Sequence, residues 1–268
     1  MNAEKKDQGR SYNPFKFDLA LSVLSAVICV LVLCAVCPAQ IHPHSFSPRQ
    51  LGIMQAWYRA DAVTALADGD PVASWVDSTA NARTLAQGTA DYRPAYKVSI
   101  QNGRPAIRFD GTNDYMSGTG FTLAQCTILT VQRPDVLCAN LCSLWRVADD
   151  RGPFMVQRPS VIGVGFRRTD YSFFSLDAPN VASLTVPEVW SWAYDGITSA
   201  VYVDGTLVGS VDESGIPVAS VQQAIGGWGG PANYPWSGDI HEIIVLNAAG
   251  SDRDRQRVER YLARKWGL

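Results

Sequence analysis

From residue 51 onwards, apolar and polar residues alternate in short runs separated by Gly, Pro, Asp and Asn. Such alternation is typical of strands with one buried face. A hairpin at residues 200–209, with Asp204-Gly205 at its turn, belongs to the same series. Many short strands between turns favour an antiparallel β-sandwich. The other predicted strands are residues 54–59, 72–76, 107–109, 127–132, 143–147, 161–167, 171–176, 189–194 and 240–246.

The stretch of residues 103–115 shows the pattern most clearly. Ile107 and Phe109 share one face of an extended chain, and Arg108 lies on the other. An Asp-Gly pair beginning at Asp110 then supplies residues that favour a turn. The pattern predicts a half-buried strand, a polar turn and a further extended segment.

A different pattern precedes the sandwich. Residues 1–18 are polar, and an uninterrupted apolar run begins at Leu19 and ends at Cys37. A helix of this length would reach roughly 28 Å, enough to cross a membrane. We expect an anchor with residues 1–18 in the cytoplasm, or a signal segment cleaved near Ala39.

In either case the cationic flank stays inside, so the domain is expected to be extracytoplasmic or secreted. Residues 38–50 are rich in His, Pro and Ser and are predicted to form a linker. The folded domain is expected to span residues 51–268.

One helix is predicted at the end of the chain. Ser251 is a suitable N-cap, and Val258, Leu262 and Trp266 recur at helical spacing on one face, together with Tyr261. We expect this face to dock on the sandwich. Acidic residues alternate with the arginines of the other face, which predicts a solvated, self-paired surface.

Composition narrows the functional classes. The chain has 268 residues, 47% of them hydrophobic, and a formal net charge of −2. It can therefore bury a large core, but no concentrated basic face indicates nucleic-acid binding. Its three histidines offer little for histidine-based metal sites or catalysis.

Three cysteines fall in the domain, namely Cys126, Cys138 and Cys142. An odd number leaves at least one thiol unpaired unless it pairs between chains. The sequence does not decide which two would form a disulfide. No second Cys or His pair stands at zinc-binding spacing.

Three segments resemble the laminin-G-like or concanavalin A-like lectin and glucanase domains of bacterial surface and secreted proteins. These segments are residues 56–61 with 72–78, residues 103–115, and residues 238–247 with 258–268. The resemblance implies an all-β, two-sheet antiparallel jelly roll in which strands from the two chain ends meet. It implies little about function, because the fold hosts lectins, adhesion modules and glycoside hydrolases.

Asp110, Asn113 and Asp114 place three side-chain oxygens within five residues. The resemblance implies a calcium site here, because members of the family hold calcium through comparable acidic turns. Calcium requires six to eight oxygens, so other ligands would be needed. The alternative is that these side chains bond backbone amides within the turn.

The loop of residues 226–236 sets aromatic rings among glycines and prolines. Trp228 and Tyr234 could stack on the apolar face of a sugar while Asn233 bonds its hydroxyls. The alternative is that these rings pack into the protein, as we expect for Trp236.

The sequence contains few of the residue patterns that a catalytic site would need. No closely spaced carboxylate series of the glycoside-hydrolase kind occurs, and Asp212 and Glu213 are adjacent, so they face opposite sides of a strand. Glu242 is isolated on its strand. His241 is not followed by the histidine of a zinc-protease motif, and no nucleophile elbow is present.

The sequence therefore predicts a non-catalytic, surface-displayed module that binds a carbohydrate or a protein surface. One alternative is a structural subunit of a cell envelope or viral particle, with self-association. A less favoured alternative is a glycan hydrolase or lyase.

Overall fold

A computed structural model describes residues 46–139, 142–148, 153–167, 173–179, 182–212, 214 and 222–268. The first strands are Met54–Arg59 (β1), Ser74–Val76 (β2), Thr84–Ala86 (β3), Ala95–Gln101 (β4), Arg104–Asp110 (β5), Met116–Thr119 (β6), Cys126–Pro134 (β7) and Cys142–Ala148 (β8). They are followed by Phe154–Arg158 (β9), Val161–Arg167 (β10), Phe173–Pro179 (β11), Glu188–Tyr194 (β12), Thr198–Val203 (β13), Thr206–Asp212 (β14), Gln222–Ile225 (β15) and Ser237–Leu246 (β16). One α-helix, Asp252–Trp266 (α1), follows the last strand.

The strands form two antiparallel sheets of eight strands each. The first sheet has the order β14-β13-β12-β7-β16-β5-β4, with β1 also paired to β16. The second sheet has the order β11-β10-β9-β8-β15-β6-β3-β2. The pairing of β1 with β16 confirms that strands from the two ends of the domain meet.

The main core lies between the two sheets. Apolar side chains of both sheets pack into one cluster, which includes Trp190 and Trp192 of β12 and Trp145 of β8, all without exposed surface. Trp236, just before β16, joins them and contacts Trp190 edge-on at 6.2 Å between ring centroids. The predicted antiparallel two-sheet sandwich and the packing of Trp236 are confirmed.

Helix α1 covers part of the outer face of the first sheet. Val258, Leu262 and Trp266 are fully buried against residues of that sheet, as their spacing predicts. The Ser251 side chain accepts a hydrogen bond from the Asp254 amide, so the predicted N-cap is confirmed. Arg255 departs from the expected solvated face, because it is buried over the Tyr202 ring.

The alternation pattern locates most strands within a few residues and misses others. Strands β1 and β10 have the predicted bounds, whereas β2 begins two residues later than predicted. In β9 the residues are buried on both faces, so no alternation marks it. The other missed strands are β3, β4, β15 and most of β6.

The predicted apolar span, residues 19–37, lies outside the described residues. In the part that the structure describes, no helix is both long and apolar enough to cross a membrane. Cys138 is disulfide-bonded, and Cys126 is a buried free thiol whose pKa is raised by burial.

Two buried carboxylates lie on β16. Glu242 accepts hydrogen bonds from Trp57 Nε1 at 2.5 Å and, on α1, from Lys265 Nζ at 2.6 Å and Trp266 Nε1 at 2.9 Å. Burial raises the pKa of Glu242, and the ammonium group of Lys265 opposes that rise. This carboxylate therefore ties the end of α1 to β1 and β16.

Asp239, the second carboxylate, accepts two hydrogen bonds from Arg108, both at 2.7 Å, and one from Arg133 at 2.8 Å. Burial opposes ionisation, but these guanidinium groups outweigh it and hold the pKa of Asp239 below its ordinary value. The paired charges link β5, β7 and β16 across the first sheet.

We predict that Asp239→Asn lowers the free energy of unfolding by about 3 kcal/mol at neutral pH, because two guanidinium groups lose their counter-charge. A carboxyl group whose pKa is lower in the folded than in the unfolded state stabilises the fold at pH values above the unfolded-state pKa of about 3.9. This stabilisation is lost as the pH falls through the folded-state pKa. Urea unfolding at pH values from 7 to 3 should therefore show that the difference in the free energy of unfolding between variant and parent decreases in acid. A gap that stays constant with pH would contradict this assignment.

Candidate functional site

The structure brings the two candidate sites together. Pairing of β5 with β16 places Asp110 opposite Ser237, directly after the aromatic loop of residues 226–236. Gly111 approaches so closely that a Cβ would lie 2.6 Å from the Cβ of Ser237. The acidic turn therefore lies next to the residue that follows the aromatic loop.

Backbone hydrogen bonds fix the ends of the aromatic loop. The Gly226 amide donates to the Leu144 carbonyl at 3.1 Å, and the Trp236 amide donates to the Gly226 carbonyl at 2.8 Å. A side chain at Gly226 would collide with the Phe109 ring at 2.1 Å, and its φ is +80°. Only glycine fits this position without displacing the core.

Within the loop, two residues other than glycine adopt left-handed backbone. Ala232 has φ of +56° and Tyr234 has φ of +54°. Such conformations are uncommon outside glycine and persist where the surrounding structure imposes them. Here the Ser143 amide donates to the Tyr234 carbonyl at 2.9 Å, and the Trp228 amide donates to the Asn233 carbonyl at 2.8 Å. The loop therefore presents its side chains in a fixed arrangement.

Trp228 is the centre of an aromatic and cationic cluster. The guanidinium carbon of Arg146 lies 3.4 Å from its ring centroid, and the Tyr234 and Phe154 rings lie at 5.3 and 6.3 Å. Trp228 is half-buried, whereas Tyr234 is 41% exposed and Asn233 is exposed. Trp228 thus supports the loop, and of the three predicted contact residues Tyr234 and Asn233 are exposed.

Arg146 belongs to the outer face of the second sheet. Its neighbours in register are Ala224 of β15 on one side and Phe154 of β9 on the other, and Ser117 of β6 lies beyond Ala224. Trp145, the preceding residue, points into the core. Arg146, Ala224 and Phe154 are all buried, so this part of the sheet supports the loop and does not face solvent.

The acidic turn is held by its own carboxylates. Asp110 Oδ1 accepts from the amides of Thr112, Asn113 and Asp114 at 2.8, 3.2 and 3.4 Å, and Asp114 Oδ2 accepts from the Asp110 amide at 3.0 Å. These bonds are the alternative to calcium that the sequence leaves open. Among the described residues, no group of three His, Cys, Asp or Glu could hold a metal ion. The calcium site, with Asn113 among its ligands, stays a prediction.

His241 and Glu242 are unsuited to contact a substrate. Both side chains are fully buried, and burial lowers the pKa of His241 to about 4, so the ring is neutral at physiological pH. Glu242 holds α1 to the sheet through the hydrogen bonds given above.

Sequence reasoning missed Arg146 and Phe154. A signal for Arg146 exists, since it is the one charged residue in the predicted strand at residues 143–147. Phe154 lies in a strand that the alternation did not reveal. Their position under Trp228 depends on pairing between distant strands, which spacing along the chain does not encode.

Comparisons with known proteins identify the fold. The ligand-binding domain of botulinum neurotoxin serotype D, solved in complex with N-acetylneuraminic acid, matches with a TM-score of 0.60 at 9% identity over 80% of this chain and 53% of that chain. The receptor-binding domain of botulinum neurotoxin type G matches at 0.59 and 10% identity over 78% and 51%. The chain thus spans about half the length of either neurotoxin domain. At these identities the likeness shows a shared all-β sandwich fold alone.

The CBM40 domain of the Ruminococcus gnavus IT-sialidase matches with a TM-score of 0.47 at 20% identity, over 57% of this chain and 96% of that chain. No protein-family model matches the sequence. No curated protein matches it significantly by sequence. The laminin-G-like assignment therefore stays a prediction.

We predict that Asp114→Asn stabilises the domain at neutral pH. Burial, with repulsion from Asp110, raises the pKa of Asp114 to about 6. Because the pKa of this carboxyl is higher in the folded state, its ionisation destabilises the fold. This destabilisation is absent below about pH 4 and reaches its full size above the folded-state pKa. Removing the charge should restore about 1–2 kcal/mol at pH 7, allowing for partial solvent screening.

Thermal melts of both proteins between pH 4 and pH 7 test this prediction, with the exposed acid variant Asp91→Asn as the matched control. Parallel pH profiles for Asp114→Asn and the parent would contradict it. The same melts in excess calcium and in chelator test the metal site. Identical melting temperatures would exclude calcium from this turn.

Proposed function

We propose that the domain is a non-catalytic module that binds a carbohydrate through the aromatic loop. Tyr234 supplies the ring on which a sugar stacks, and Asn233 supplies hydrogen bonds to its hydroxyls. Trp228 and Arg146 hold these side chains in place from below.

The observation that carries the proposal is the exposed Tyr234 ring on a loop with a fixed backbone. A large ring at the surface loses apolar contact with water when a sugar's C–H face covers it. Because the loop is already ordered by its hydrogen bonds, binding would not incur the entropy cost of ordering it.

Other features support binding without chemistry. Each of the two buried carboxylates of β16, Asp239 and Glu242, accepts three hydrogen bonds inside the protein, so neither is available as a nucleophile or general acid. The serotype D neurotoxin domain, which shares the fold, was solved with N-acetylneuraminic acid bound. An acidic sugar is therefore a sensible first ligand to test here.

We also propose that residues 19–37 anchor the module at a membrane and place it outside the cytoplasm, with cleavage near Ala39 as the alternative. Protease treatment of intact cells, combined with N-terminal sequencing of the mature chain, tests this placement. A domain that stays protected until cells are broken would exclude it.

We predict that Tyr234→Ala weakens binding of the full chain on a glycan array, whereas Tyr234→Phe retains most of it because the ring remains. Loss of one stacking contact should weaken binding by about 1 kcal/mol or more, roughly five-fold. Trp228→Ala should lower both binding and melting temperature, because its half-buried ring supports the loop.

Leu207→Ala is the matched control, since Leu207 is an exposed apolar residue of β14, outside the aromatic loop. It should leave binding unchanged. Equal binding by the parent and Tyr234→Ala would place the site elsewhere. An array without any bound glycan would contradict the carbohydrate proposal itself.

A further inference from the structure

A second concave site lies beside α1 and shares no residue with the aromatic loop. Its volume is about 590 Å³, within the range of small-molecule pockets. It lies between α1, the segment before β12 and the tight turn that joins β13 to β14. The residues that line it are Gln101, Val186, Pro187, Val189, Asp204, Gly205, Gln256, Glu259, Arg260, Ala263, Gly267 and Leu268.

Apolar side chains form much of this groove. Val189 of β12 is buried, and it lines the groove together with Ala263 of α1. At the rim, Val186 is 56% exposed and Leu268 is 41% exposed. Exposed apolar residues around a concavity mark surfaces that gain from being covered.

Carboxylate oxygens converge on the same groove. Asp204 Oδ1 accepts from the Val189 amide at 2.9 Å, and its exposed side chain lies at the β13–β14 turn. Glu259 Oε1 accepts from Arg255 at 2.5 Å, while its Oε2 lies 3.6 Å from the point where a Cβ would stand on Gly205. Arg255 thus neutralises the buried Glu259, and the exposed Asp204 is the carboxylate left at the turn side of the groove to pair with a cation.

The end of α1 lines the groove through Gly267, the C-cap of the helix. Its last carbonyls add little negative character, because those of Lys265 and Trp266 already accept hydrogen bonds from Arg104, Asn102 and Gln101. Arg260 is the one positively charged residue that lines the groove among the described residues, and its side chain is exposed.

We propose that this groove binds a small amphiphilic amine, with its apolar body between Val186 and Ala263 and its ammonium group beside Asp204. The volume admits a body of one aromatic ring and a short aliphatic chain. The charge of the groove determines the expected order of affinity: an amine binds more tightly than the matching alcohol, and the alcohol binds more tightly than the matching carboxylate.

The test uses the full chain in lipid nanodiscs, so that no detergent competes for the groove. Phenylbutylamine, phenylbutanol and phenylbutyrate share one apolar body and differ in charge. Saturation-transfer NMR and titration calorimetry should show the amine binding about three-fold or more tightly than the carboxylate. Equal affinities, or tighter binding of phenylbutyrate, would overturn the proposal.

Two variants locate the site. Asp204→Asn removes the charge but keeps an Asn-Gly pair, which suits the same tight turn, and should weaken amine binding about three-fold. Its matched control is Asp91→Asn. Val186→Ser should weaken all three probes, whereas Leu207→Ser, at an equally exposed apolar residue, should weaken none.

Amine binding that both Asp204→Asn and Val186→Ser leave unchanged would exclude this groove. Tyr234→Ala serves as the cross-check, since it should weaken glycan binding and leave amine binding intact. Loss of both activities in that variant would contradict two independent sites.

Discussion

The buried carboxylate of Glu242 is the constraint on which the layering of this protein depends. Its three hydrogen bonds join β1, β16 and α1, so both chain ends of the domain and the helix share one charged group. Removing such a charge from water is costly unless it is paired and bonded. The helix must therefore sit where Lys265 and Trp266 reach Glu242, and part of the outer face of the first sheet is covered as a consequence.

The register of β16 with β5 then determines where function can lie. Placing Ser237 opposite Asp110 brings the aromatic loop against the acidic turn, and Gly111 and Gly226 allow the approach because neither carries a side chain. A one-residue slip would reverse the faces of β16 and move Asp239 away from its two arginines. The stability of the first sheet and the geometry of the surface loops thus depend on the same pairing.

The strands with one buried face, the N-cap and docking face of α1, and the packing of Trp236 could all be predicted from the sequence, because each follows from local spacing. The different roles of Trp228 and Tyr234 in the aromatic loop could not be predicted from the sequence. Trp228 and Tyr234 look equivalent in sequence, yet Arg146, some eighty residues earlier, stacks on one and leaves the other exposed. That difference arises from the pairing of β8 with β15, which no local pattern specifies.

A binding surface built around one exposed ring has a physical consequence for how the module would work. A single stacking contact and a few hydrogen bonds to hydroxyls provide little free energy beyond the cost of immobilising the ligand. The ordered loop reduces that cost but adds no contact area. Useful affinity would then require several modules to engage one glycan-bearing surface, since tethering raises the effective concentration of each further contact. The proposed membrane anchor would supply this arrangement, because it confines many copies to one plane.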